Sequence, residues 1–208
     1  MIFLSILLAT LFLFNFSSAF ADLAPSEYNQ LGLADIKQKN FNAAITEFNK
    51  SLSIDHNNPE SYAYRAAAYI NLHDLADAVS DCTQAIEINP KDAAAFFLRG
   101  TIYFSENDFN AAIIDFTQDI QINPKIAKGY ISRALCYLRI NKPQEATSDL
   151  TMALDLNPQY SRAYYNRAVA YYQLKEYDKA WSDVKKAQGL GVPINPFFLK
   201  ALTKSSGQ

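Results

Sequence analysis

The sequence predicts an all-α protein built from stacked helix-turn-helix units, and three observations predict it. An Asn-Pro pair recurs at Asn89-Pro90, Asn123-Pro124 and Asn157-Pro158, with a spacing of 34 residues both times. On the same period, aromatic, small and aliphatic residues recur at offsets of three and four, as two amphipathic helices per unit require. Short segments of alternating polarity are missing from the pattern, which argues against an all-β fold.

The first element is apolar. Met1 to Ala21 carries no charged side chain and ends in Ser18-Ala19-Phe20-Ala21-Asp22. Ala19 and Ala21 are the small residues of an A-x-A site, so residues 1–21 read as a signal peptide cleaved after Ala21. No Lys or Arg precedes the apolar run, and an uncleaved membrane anchor is the alternative, since about 20 apolar residues can span a bilayer. The first reading places the mature chain in the periplasm or outside the cell. The second leaves it tethered to a membrane.

The repeat frame extends to five abutting units, 25–58, 59–92, 93–126, 127–160 and 161–194. The fourth place is aromatic in every unit (Tyr28, Tyr62, Phe96, Tyr130, Tyr164). The eighth is Gly or Ala (Gly32, Ala66, Gly100, Ala134, Ala168), and the twentieth is always Ala (Ala44, Ala78, Ala112, Ala146, Ala180). Small residues at both places let two helices approach closely while bulky neighbours fill the space around them. Asn40, Asp74 and Asp108 stand where N-caps of the second helices belong, and Pro143 occupies a first helical turn. The Asn-Pro pairs end three second helices, because a residue before proline is driven out of the α region. After Gly189-Leu190-Gly191, Asn195 and Pro196 start a last helix, whose Phe198, Leu199 and Leu202 cover the fifth unit; residues 195–208 thus read as a capping helix and tail.

These columns resemble the tetratricopeptide repeat (TPR), with its aromatic-x-x-x-small, alanine and proline places filled over residues 25–194. The resemblance implies a right-handed α-solenoid superhelix whose concave inner face holds partners. It also implies that certain places of each first helix line that groove. Carried over, they give Leu33, Ile36, Ile70, Phe97, Thr101, Phe104, Ile131, Leu135, Leu138, Tyr165, Val169 and Tyr172, with Lys128, Arg139 and Arg162 as basic groups at one edge. The resulting wall is apolar and aromatic and suits an apolar or aromatic partner segment, with the basic groups orienting an acidic flank. The Lys-Asn pair with which some members clamp a terminal carboxylate falls here on Asn29 and Leu33 and is not reproduced.

A second column pairs charges. Arg65, Arg99, Arg133 and Arg167 fill the seventh place of units two to five, and Glu47, Asp81, Asp115, Asp149 and Asp183 fill the twenty-third of all five. Because the first unit has Leu31 in place of Arg yet keeps its acid, each acid is expected to pair with the Arg of the following unit: Glu47–Arg65, Asp81–Arg99, Asp115–Arg133, Asp149–Arg167. The ladder reads as structural, since catalysis needs one site and not four copies.

Composition excludes several classes. With 19 Lys+Arg against 21 Asp+Glu, the 208-residue chain lacks the basic excess of a nucleic-acid binder. Two Cys make no disulfide framework, and Cys82 and Cys136 fall at apolar helical places as buried thiols. His56 and His73 have no second ligand spaced for a metal, and no cofactor motif appears. Asn49-Lys50-Ser51 fits a glycosylation acceptor, and Asp119 is an acid where other units carry Ala or Ser. The expectation is a non-enzymatic, exported interaction module acting as adaptor or assembly scaffold. A self-associating scaffold and a membrane-tethered assembly factor are the alternatives.

Overall fold

A computed structural model of the chain describes residues 23–207. The leader or anchor expected of residues 1–21 falls outside the described residues. Eleven helices follow one another in them: α1 (Pro25–Lys37), α2 (Phe41–Ile54), α3 (Pro59–Leu72), α4 (Leu75–Ile88), α5 (Ala93–Ser105), α6 (Phe109–Ile122), α7 (Ala127–Arg139), α8 (Pro143–Leu156), α9 (Ser161–Gln173), α10 (Tyr177–Gly189) and α11 (Pro196–Ser206). None is long and apolar enough to cross a membrane. The all-α repeat fold that the sequence predicts is the fold observed.

The turn inside each hairpin is made the same way five times. Lys39, His73, Asn107, Asn141 and Lys175, spaced one period apart, all adopt left-handed backbone with φ between 56° and 64°. The N–H that follows each bonds back across the helix end, as Asp74 N does to Tyr69 O (3.0 Å) and Asp108 N to Tyr103 O (2.9 Å). Of the three expected N-caps only Asp108 closes a side-chain bond, to Ala111 N at 3.0 Å; Asn40 and Asp74 hold the cap position without one. Asn89 and Asn157, each before a proline, take extended backbone and end α4 and α8.

Within a hairpin, the eighth and twenty-fourth places fit as complementary volumes. A Cβ on Gly32 would lie 2.5 Å from the Phe48 ring, and one on Gly100 2.9 Å from the Phe116 ring. Units with Ala at the eighth place carry the smaller Cys82, Leu150 or Val184 opposite. Between hairpins the matching pair is the twenty-seventh place and the third place of the next unit. Ser51 and Ser61 meet there at 2.8 Å, and Ser61 also donates to Asn29 Oδ1. Asp119 occupies the same junction further on, and it fits because its neighbour is Gly129, where a Cβ would approach Asp119 Oδ2 to 2.4 Å. Burial pushes the Asp119 carboxyl above its ordinary pKa, with the charge of Lys128 pulling the other way.

The charge ladder is confined to hairpins, which corrects the expected pairing across units. Arg65 grips Asp81 through Nε and Nη2 at 2.8 and 2.7 Å, and Arg99 grips Asp115 at 2.8 and 2.9 Å. Arg133 holds Asp149 in the same manner, and Arg167 holds Asp183, a fifth-unit acid that the cross-unit scheme left without a partner. The reason is that the twenty-third place faces the first helix of its own hairpin: a Cβ on Gly100, next to Arg99, would lie 3.2 Å from Asp115 Cβ. The cross-unit contact is made instead by Arg Nη1, which donates to Asn49 (2.5 Å), Thr83 (3.1 Å), Thr117 (3.0 Å) and Thr151 (3.0 Å) of the preceding unit. Hydrogen bonding to the aspartates pushes all four guanidiniums above their ordinary pKa. Each guanidinium also lies by an aromatic ring, Arg65 by Tyr62 and Arg99 by Phe96. Glu47, whose hairpin has Leu31 instead, bonds Lys50 Nζ at 2.8 Å through one oxygen. Its Oε2 is buried without a hydrogen-bond partner among the described residues.

Both cysteines are buried and unbridged, and burial pushes their thiols up to about 12. The Asn49-Lys50-Ser51 acceptor lies within α2, with Ser51 wholly buried and Asn49 held by Arg65.

Candidate functional site: the inner face of the first helices

Neighbouring first helices (α1–α3, α3–α5, α5–α7, α7–α9) touch, and no two second helices meet to the same extent. The array therefore curves with its first helices inside. On that face the apolar residues named from the sequence, Leu33, Ile36, Ile70, Phe97, Phe104, Ile131, Leu135, Leu138, Tyr165, Val169 and Tyr172, are all half-buried. Thr101, Lys128, Arg139 and Arg162 are exposed.

Three of them converge between α5 and α7. Thr101, Phe104 and Leu135, with Phe116 and Ser132, line a mostly apolar pocket of about 70 Å³. Phe116 is a second-helix residue that the sequence reading missed. Its ring passes the first helix because Gly100 leaves room, and it packs at a tilt against Phe97, with ring centres 5.4 Å apart. The signal was present as Gly at the eighth place with Phe at the twenty-fourth. One unit back, Ile70 and Thr101 join His73, Leu75, Ile102 and Ser105 around a larger hollow of about 390 Å³. Phe104 is held by the edge of Phe109 at 5.5 Å, so its rotamer is set before any partner arrives. Lys128 reaches from α7 over α5, its Nζ 4.2 Å from the centre of the Phe97 ring. Such a contact at an exposed site contributes about 0.5–1 kcal/mol.

Other named residues are engaged elsewhere. Ile131 and Leu138 pack on Ala134, Ala146 and Leu150, and Ile36 packs on Ala44 and Phe48. Leu33 borders a separate, more polar hollow with Asn29, Asn58 and Tyr64. At the fifth unit the face is covered. Phe198 of α11 stands edge-on to both Tyr165 and Tyr172 at 5.6 Å. Trp181 Nε1 donates to Ser206 Oγ at 3.1 Å, and Leu202 is wholly buried in the last unit's core. The terminal helix thus takes the two tyrosine rings that the sequence offered to a partner, and the open groove runs over units two to four.

Comparisons with known proteins agree with this architecture. Three profiles described as tetratricopeptide repeat match the chain, one over residues 131–190, one over 59–92 and one over 28–58 and 93–126. No curated protein matches it. Among solved structures, MamA is 22% identical, with a TM-score of 0.73 over 83% of this chain and 98% of that one. The pilF protein of Pseudomonas aeruginosa is 20% identical, with a TM-score of 0.77 over 88% of this chain and 84% of that one. YrrB, described as a TPR protein with an unusual peptide-binding site, is 17% identical, with a TM-score of 0.70 over 86% and 90%. At these identities the likeness concerns the fold. With the repeat profiles, the 34-residue period and the paired helices in agreement, the chain belongs to the tetratricopeptide repeat family.

Proposed function

We propose that the protein is a non-enzymatic, exported docking module that holds an apolar or aromatic segment of a partner protein in its concave groove. The observation that carries this reading is the pocket between α5 and α7, where Thr101, Phe104, Phe116, Ser132 and Leu135 leave apolar surface that no part of the described chain fills. Half-buried aromatic and aliphatic side chains that converge on a concavity are the usual anchors of a protein interface. A module exported through residues 1–21, cleaved after Ala21, would meet its partner outside the cytoplasm.

Head-to-tail self-association is disfavoured by the two ends. Units one to four present an acceptor to the next Arg, whereas the fifth has Lys185 at that place, and the first unit has Leu31 where an incoming Arg would stand. The fifth unit is moreover closed by α11. Pull-down from the source organism's envelope with wild type and Phe104→Glu tests the groove: at least one partner is expected to be lost with the variant. Equal recovery of every partner by both proteins removes the assignment.

A further inference from the structure

The groove has an edge chemistry as well as an apolar floor. Lys128 is exposed and forms no ion pair among the described residues. The carboxylate that feels its charge, Asp119, is buried against Gly129 and does not reach it. Lys128 lies instead over the Phe97 ring, which holds its ammonium in one place between α5 and α7. Arg162, at the equivalent place of the next unit, is exposed and equally without an ion pair among the described residues. Both cations stand in the first turns of α7 and α9, where the positive ends of the helix dipoles add to their field. One rim of the groove is therefore cationic beside an apolar pocket.

The separation sets a spacing. Ser132, in the pocket wall, is one helical turn along α7 from Lys128, a rise of about 6 Å. Alternate residues of an extended peptide are about 7 Å apart on one face. We infer that the partner is an acidic peptide segment in extended form, with an aromatic or large aliphatic residue in the pocket between α5 and α7 and an Asp or Glu two positions away on Lys128. The pairing rests on the groove reading above and adds to it a charge and a spacing.

A random peptide library displayed on phage and selected on the full chain tests it, with Phe104→Glu and Lys128→Glu as parallel baits. Lys128 is exposed, so its replacement leaves the packed hairpins in place, and circular dichroism checks this. Wild type is expected to enrich sequences with Asp or Glu two positions from an aromatic or aliphatic anchor, and Phe104→Glu is expected to enrich none of them. By fluorescence anisotropy, the enriched peptides should bind Lys128→Glu about tenfold or more weakly, the loss of one charge-assisted contact. Enriched anchors without an acid, or equal binding to Lys128→Glu, overturn the acidic-segment inference and leave the groove standing. No enrichment by wild type over Phe104→Glu overturns both.

Discussion

Replacing Asp115 by alanine is expected to lower unfolding stability by about 3–5 kcal/mol, because it strands the Arg99 guanidinium in a partly buried site. Asp115 is the most deeply buried acid of the ladder, its side chain 2% exposed, and it accepts two parallel bonds from Arg99. Arg99 is also the residue that joins the third unit to Thr83 of the second. Losing its anchor should therefore loosen a central junction, and in an array stabilised by nearest neighbours this weakens the coupling of the two halves. Urea denaturation followed by helical circular dichroism measures the effect. Glu47→Ala is the internal control: Glu47 has no Arg partner, only Lys50, and its replacement should cost less than about 1 kcal/mol. A loss at Asp115 no larger than at Glu47 would show that the ladder contributes little.

Gly32→Ala is expected to destabilise by about 1–3 kcal/mol, although alanine is the better helix former by roughly 1 kcal/mol. The added methyl meets three atoms of the wholly buried Phe48 ring at 2.5, 2.6 and 2.9 Å, so the ring must shift within a packed core. Combining Gly32→Ala with Phe48→Leu recreates the Ala134–Leu150 pairing of the fourth unit and should recover most of the loss. Thermal unfolding of the two single variants and the double one decides it. Additive losses would mean that the two places do not share a volume.

The period, the small-residue columns and the all-α fold were legible in the sequence because each repeats five times, and repetition separates a packing requirement from chance. What was missed depends on details that a column average hides. Gly and Ala share the eighth place as small residues, yet each is matched to the size of the residue opposite, Phe48 and Phe116 for Gly, Cys82, Leu150 and Val184 for Ala. The sequence points to pairing across units because Glu47 has no Arg in its own unit, whereas the acids pair within their hairpins. Glu47 is the acid whose own hairpin carries Leu31 at the Arg place, and the contact between units runs through Asn49 and three Thr side chains. The left-handed turn residues carry no Gly signal, since Lys39, His73 and Lys175 are accommodated by the bonds that close each turn. The covering of Tyr165 and Tyr172 by Phe198 was equally hidden, because a capping helix can be read from its apolar residues but its contacts cannot.

The inner and outer faces give opposite expectations for a photo-crosslinking residue introduced in the living source cell. Position 104 lies in the groove. Position 114 is Ile114 on α6, 64% exposed and among the most exposed large aliphatic side chains described, which makes it a demanding comparison. Irradiation is expected to join a partner protein to position 104 and none to position 114. Adducts from 114 with none from 104 would contradict a docking groove on the first helices and move the binding surface to the outside of the array.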